Sequence, residues 1–201
     1  MEECERRERI LDAASEVLQK CGYHAASMDR VAQHSGMSKR TLYQMFESKQ
    51  DLFHALVSSR LFNFSPDRCH YSEDPVEELT ELLMNLGEII LRPDRMSLIR
   101  ALITESQQSE DIRHILTSLR AGGKDNVLNA WLTCYVQRRN YVVHDISMYS
   151  NMLFGMTVGD FMLQNLACAS EIPELLRNMR PRFHHAVRIF LAGFAQGCAT
   201  P

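Results

Sequence analysis

The chain has 201 residues, 45% hydrophobic and 23% charged, an ordinary composition for a water-soluble globular protein with room for one ample core or a small head and a larger body. No apolar run reaches the ~18 residues that span a bilayer, and the charged start MEECERRER lacks the apolar core of a signal peptide, so the expected location is cytoplasmic, with no membrane partner. The formal net charge of -3 argues against a uniformly basic nucleic-acid binder, but it is unevenly spread. Lys20 to Lys49 holds five cations (Lys20, Arg30, Lys39, Arg40, Lys49) against Asp29 and Glu47, whereas residues from 61 onward are mildly acidic.

In chain order, the arm Glu2 to Arg9 has four glutamates against three arginines. Glu5 to Lys20 predicts a helix in which Ile10, Ala13, Ala14, Val17 and Leu18 form one apolar stripe, ended by Gly22. Ser27 predicts the N-cap of a second helix, with Asp29 in its first turn and Met28, Val31 and Ala32 on its inner face. Gly36 falls where that helix must stop in a left-handed conformation, and Met37 plugs the turn. Ser38 caps a third helix whose buried side is Leu42 with Met45 or Phe46. Its other side offers Lys39, Arg40, Thr41, Tyr43 and Gln44, cations and hydrogen-bonding groups that a core does not need. Two short helices and a tight turn with that outward face predict a helix-turn-helix with a recognition helix. Ser48 caps a fourth helix, buried along Leu52, Phe53, Leu56 and Val57 and running to about Phe62.

From Ala32 to Leu52 the order AxxxGMSKRTLYxxFxSKxDL resembles the signature of the tetracycline-repressor-like (TetR) transcriptional regulators. The preceding ILDAASEVLQKCGYHAAS, Ile10 to Ser27, is similar to that family's first helix and its glycine-containing exit. The resemblance covers residues 6 to 62 and implies a fold, a partner and contacts. Lys39, Arg40, Thr41 and Gln44 would face base edges or nearby phosphates, and Tyr43 and Lys49 would contact phosphates. Lys49 also stands at a helix N-terminus, where amides and dipole favour an anion. Ser27 and Ser38 would add phosphate contacts to their capping role. The chain departs from the family pattern at Met45, where many relatives carry an aromatic ring or histidine, and in its arm, which is not net basic.

Beyond residue 62, Ser65 to Asp74 is polar and reads as a connecting loop. Pro75 to Leu91 predicts a helix with Val76, Leu79, Leu82, Leu83, Leu86, Ile89 and Ile90 at helical spacing. Pro93 starts another, lined by Met96, Ile99, Leu102 and Ile103. Ile112 to Arg139 predicts a long helix weakened at Gly122-Gly123. Tyr141 to Val143 is a connector, Ile146 to Cys168 a methionine-rich apolar helix, Pro173 to Met179 one or two turns, and Pro181 to Gly197 the closing helix. With no strand pattern and no repeat, the fold class is all-α: a three-helix helix-turn-helix head, residues 1–62, and a larger helical body for ligand binding and dimerisation, residues 63–201.

The body suggests two sites. Leu102, Glu105, Trp131, Tyr135, Tyr149, Met152 and Met156 are candidates for a pocket taking a small apolar or aromatic effector, with Glu105 as polar anchor. Gly155 and Gly159, with Phe183, Val187, Phe190 and Phe194, are candidates for a homodimer interface; the alternative is that these aromatics cover their own subunit's core. Six scattered cysteines form no CxxC, the histidines lack ligand spacing, and no phosphate loop, GxSxG or HExxH is present, so no metal, cofactor or enzymatic activity is expected. The expected function is a ligand-responsive repressor binding double-stranded DNA at a palindromic operator. An activator or a redox-responsive regulator of the same fold is the alternative.

Overall fold

The computed structural model describes residues 3–62, 74–122, 127–167 and 177–198, and every regular element among them is helical. In chain order these are α1 (Glu3–Ala25), α2 (Met28–Ser35), α3 (Lys39–Met45) and α4 (Lys49–Val57, running into a π-helical turn Ser58–Phe62). Next come α5 (Pro75–Ile90), α6 (Pro93–Ser106), α7 (Glu110–Gly122) and α8 (Val127–Arg139). The last are α9 (Ile146–Phe154, then a π-helical turn Gly155–Gly159), α10 (Asp160–Ala167) and α11 (Met179–Cys198). They form two compact units, one of Met1–Asn63 with Pro93–Gly123 and the other of Phe64–Arg92 with Lys124–Pro201.

In the first unit the α1 stripe packs as its spacing predicts: Ile10, Leu11, Ala14 and Leu18 are buried with Val31, Leu42, Phe46, Leu52, Phe53 and Leu56. The same core takes Leu98 and Leu102 from α6 and Ile112 and Ile115 from α7. Residues 93–123 therefore pack with the head, although the sequence reading grouped them with the body. One long and three short helices bury too little apolar surface by themselves, and α6 and α7 cover what α1 and α4 leave open. The inner face of α6 is Met96, Leu98 and Leu102, while Ile103, expected inside, is exposed.

The long helix expected over Ile112 to Arg139 is two helices, α7 and α8, and they belong to different units. Glycine is a poor helix former, and Gly122 is the last residue of α7. The closing helix starts two residues earlier than expected, at Met179. The loop expected over Ser65 to Asp74, apart from Asp74, and the turns expected from Pro173, apart from their last residues, lie outside the described residues.

In the second unit, α5 starts as read: Asp74 caps it by accepting from the Val76 N–H at 2.9 Å, and Pro75 occupies the first turn, where its missing N–H costs nothing. Leu79 and Leu83 of α5 are buried, as are Phe161 of α10 and Phe183 of α11, which meet edge to face at 5.3 Å. Arg180 of α11 holds Glu77 and Glu81 of α5, and Arg182 holds Asp160. A run of rings from Trp131 and Tyr135 through Phe194 to Tyr149 and Phe190 closes this unit's other end.

Candidate nucleic-acid interface

The reader is built from capped short helices. Ser27 sits extended ahead of α2 and its Oγ accepts from the Arg30 N–H at 3.2 Å. Gly36 ends α2 at φ 68°, a left-handed conformation that lets the Met37 N–H return to the Ala32 carbonyl at 3.1 Å. Ser38 repeats the N-cap on α3, accepting from the Thr41 N–H at 3.1 Å, and its hydroxyl also bonds the Thr41 hydroxyl at 2.9 Å. Ser48 caps α4 by accepting from the Asp51 N–H, while the Asp51 carboxylate accepts from the Glu47 N–H. The Asp51 carboxylate thus reaches back to the residue before the cap, a variant of the capping box in which the acid normally takes the N–H of the cap itself.

Seven residues are the whole of α3, so its two sides are easily separated. Leu42 and the adjoining Phe46 are fully buried, Met45 is half-buried, and Arg40, Tyr43 and Gln44 are exposed, Tyr43 at 53%. A tyrosine ring left half in water on a helix with room to bury it is positioned for an external partner. Arg30 and Arg40 have no ion-pair partner among the described residues. Lys39 differs from the sequence expectation. Its ammonium already pairs with Asp29 of α2 at 2.6 Å, on a surface where both side chains are well exposed.

Lys49 is also less available than its position suggested. Its ammonium donates to the Tyr23 carbonyl and, at 3.4 Å, to the His24 carbonyl, and it lies 4.0 Å over the centre of the Tyr23 ring. Burial holds its pKa below the ordinary lysine value, against the pull of Asp111 and Glu105. Two of its three donors thus serve the exit of α1. Sequence reasoning also passed over Arg7, whose guanidinium stacks 4.8 Å over Phe46. The i, i+3 rule within one helix cannot find such a contact between helices.

Of the pocket candidates, Leu102 is buried in the core of the first unit, where the Glu105 carboxylate accepts from the Tyr23 N–H at 2.7 Å, and the other five residues belong to the second unit. Of those five, Trp131 is buried and stacks on Tyr135 at 5.1 Å, and Tyr149 lies edge-on to Phe194 at 4.7 Å. Met152 and Met156 are 53% and 43% exposed and face outward. The adaptability of methionine suits a cavity, but residue type does not fix a helix's rotation.

Of the interface candidates, Phe183, Val187, Phe190 and Phe194 are buried inside their own unit. Gly155 faces open space, whereas a Cβ at Gly159 would lie 3.1 Å from the Phe154 carbonyl of its own helix. The exposed apolar side chains of these helices are Met148, Met152, Met156 and Leu163 with Ile189. The spacings 148, 152, 156 and then 163 carry this signal, since they keep to one helical face.

Capped helices, a left-handed glycine turn and an outward α3 with uncommitted polar groups define a helix-turn-helix DNA-binding protein. Residues 10–56 match the family model described as bacterial regulatory proteins, tetR family. The HTH-type transcriptional activator FasR of Mycolicibacterium smegmatis is 49% identical over 59 residues, a match spanning 29% of this chain and only 27% of FasR. Among solved structures, a TetR family transcriptional regulator from Pseudomonas syringae pv. tomato has a TM-score of 0.71 at 21% identity, covering 94% of this chain and 95% of that one. The transcriptional regulator FadR from Bacillus subtilis, solved in complex with stearoyl-CoA, has a TM-score of 0.67 at 18% identity, covering 90% and 97%. Over residues 10–56 the chain thus matches the tetR family of bacterial regulatory proteins, and over nearly its whole length its fold is similar to that of solved TetR-family regulators. Among the described residues no helix is long and apolar enough to cross a membrane.

Proposed function

We propose that this regulator is a ligand-responsive repressor that binds a palindromic operator as a homodimer. The observation that carries the DNA part is the division of α3: Leu42 and Phe46 buried, Arg40, Tyr43 and Gln44 outside. Arg40 and Gln44 have the donors that major-groove edges require, and Tyr43, with Ser27, Ser38 and Thr41 at the helix starts, suits phosphate oxygens. Lys39 reaches DNA by exchanging Asp29 for a phosphate, and Lys49 offers only its remaining donor.

The second unit supplies the regulatory half of the reading. Trp131, Tyr135 and Tyr149 with Phe190 and Phe194 form an aromatic group suited to an apolar effector. The stearoyl-CoA carried by FadR makes a long acyl chain the first ligand to try. Dimerisation uses the exposed stripe of Met148, Met152, Met156, Leu163 and Ile189, in place of the buried phenylalanines. An activator remains the second reading because FasR is named as one, and its likeness lies in the head, which sets where a regulator binds and not the sign of its effect.

Selecting sites from random duplex DNA tests the reading. The expected result is an inverted repeat whose half-sites lie about one helical turn, ~34–36 Å, apart. Acyl thioesters and aromatic acids are then screened for a raised melting temperature together with weakened binding to that site. Recovery of no preferred sequence overturns the operator. A screen in which no compound does both overturns the effector.

A further inference from the structure

The α1 helix does not run cleanly into the reader. At Gly22 the backbone turns to φ 75°, ψ 168°, outside helical geometry, and the Tyr23 N–H leaves the α1 hydrogen-bond ladder. An amide stranded beside a buried ring needs an acceptor. Glu105, 82 positions away at the end of α6, supplies it: its Oε2 accepts from the Tyr23 N–H at 2.7 Å. The fit is close, since a Cβ at Gly22 would lie 2.6 Å from the Glu105 Oε1. Asp111, at the start of α7, takes the other end of the same residue, its Oδ2 accepting from the Tyr23 hydroxyl at 3.0 Å.

Tyr23 in turn organises the reader's far side. Its ring is buried and packs edge-on to Phe53 of α4 at 5.1 Å, and its carbonyl and ring face hold the Lys49 ammonium at the start of α4. Three residues after Tyr23 the chain reaches Ala26, fully buried, and then the Ser27 cap of α2. The end of α1, the cap of α2 and the start of α4 are therefore registered on one tyrosine, which is itself gripped by the α6–α7 turn.

We infer that Glu105 is a positioning residue for DNA reading: by accepting the Tyr23 N–H it sets the geometry of the helix-turn-helix without touching DNA. This rests on the reading of α3 as the docking face. Carboxylate reach is the property that matters, and two conservative variants separate it from charge. Glu105→Gln keeps the length and an acceptor oxygen but loses the charge. Glu105→Asp keeps the charge, but its carboxylate is one methylene too short for the Tyr23 amide.

The test measures binding of the full chain to a random-sequence duplex as a function of salt, alongside the thermal midpoint of each variant. Glu105→Asp should weaken binding roughly tenfold, within the range typical of coupling between sites, while Glu105→Gln stays within about threefold of wild type. The Tyr23 amide should exchange faster with solvent in Glu105→Asp than in Glu105→Gln. Unchanged binding in Glu105→Asp, or a tenfold loss in Glu105→Gln, overturns the inference. Tyr43→Ala, which removes a proposed phosphate contact, is measured in parallel: if it binds like wild type, the docking face itself is wrong. If it weakens binding while Glu105→Asp does not, only the positioning role falls.

Discussion

At the scale of single residues, the proposed reading divides recognition between Arg40 and Tyr43. Arg40 is a planar five-donor cation without an ion-pair partner among the described residues, the group best matched to the O6 and N7 of guanine. Arg40→Ala should relax base preference at one or two positions per half-site and cost ~1–3 kcal/mol on the selected operator, read by titration against single-base variants. Tyr43→Ala should weaken binding to all sequences alike and flatten its salt dependence, since a phosphate contact carries no base information. If both variants lose affinity with one pattern, the division is wrong.

Tyr23 gives a second prediction at this scale. Burial, and then its hydrogen bond to Asp111, push the phenol well above its ordinary value near 10. A group whose folded pKa is raised contributes stability in full below the unfolded pKa and loses it as pH rises above that value. Alkali should thus destabilise the wild type beyond about pH 10, because only the unfolded chain readily releases that proton. Tyr135 is also raised by burial and adds a slope of its own. The comparison is therefore with Tyr23→Phe, whose stability should fall less steeply across the same range in denaturant titrations. Parallel pH profiles would mean that Tyr23 ionises as freely folded as unfolded.

Elements show why the reader depends on small residues. The helices α2, α3 and α4 have eight, seven and nine residues, too short to persist in water without caps and packing. Each begins with a serine that accepts from the backbone N–H three residues on. Ser48→Ala should cost ~0.5–2 kcal/mol by removing the cap of α4. Gly36→Ala should cost a similar ~1–2 kcal/mol for a different reason, the strain of a Cβ at φ 68°. Chemical denaturation resolves both; a neutral Gly36→Ala would mean that the α2–α3 turn adjusts its backbone freely. The same residues were the legible ones in the sequence, because caps and left-handed glycines act locally. The tie between Glu105 and Tyr23 was not legible: residues 82 apart meet only through folding.

Across the molecule, each compact unit answers a different packing problem. In the first, α6 and α7 complete a core that α1 to α4 cannot close. In the second, α11 turns Phe183, Val187, Phe190 and Phe194 inward, which leaves Ile189 outside with the methionine stripe of α9 and its π-helical turn. Ile189→Glu and Met152→Glu should therefore give monomers that remain folded, and these should bind a full operator no better than a half-site. Sedimentation checks the mass, and circular dichroism the fold. A dimer that survives both substitutions would put the interface elsewhere. Phe194→Glu should instead unfold the second unit, since a carboxylate would replace a ring that is 3% exposed and in contact with four others.

What the sequence determined alone was whatever depends on neighbours within about four residues. It set the all-helical class, the capped starts at Ser27, Ser38 and Ser48, the glycine turn at Gly36, and the polar face of α3. Helical periodicity fixes which residues share a face, and where one face is plainly apolar, as in α1, it also fixes which face is buried. The tertiary structure decided the rest. On a largely apolar helix such as the Met-rich α9, periodicity leaves the rotation open, and packing turned the methionines out; on α11 the apolar stripe was plain, but only packing decided that it faces its own unit. The owner of a segment was beyond the sequence as well. Residues 93–123 join the head, and Glu105 became the acceptor for a stranded amide of α1, because apolar area and unpaired backbone groups are satisfied in space rather than along the chain.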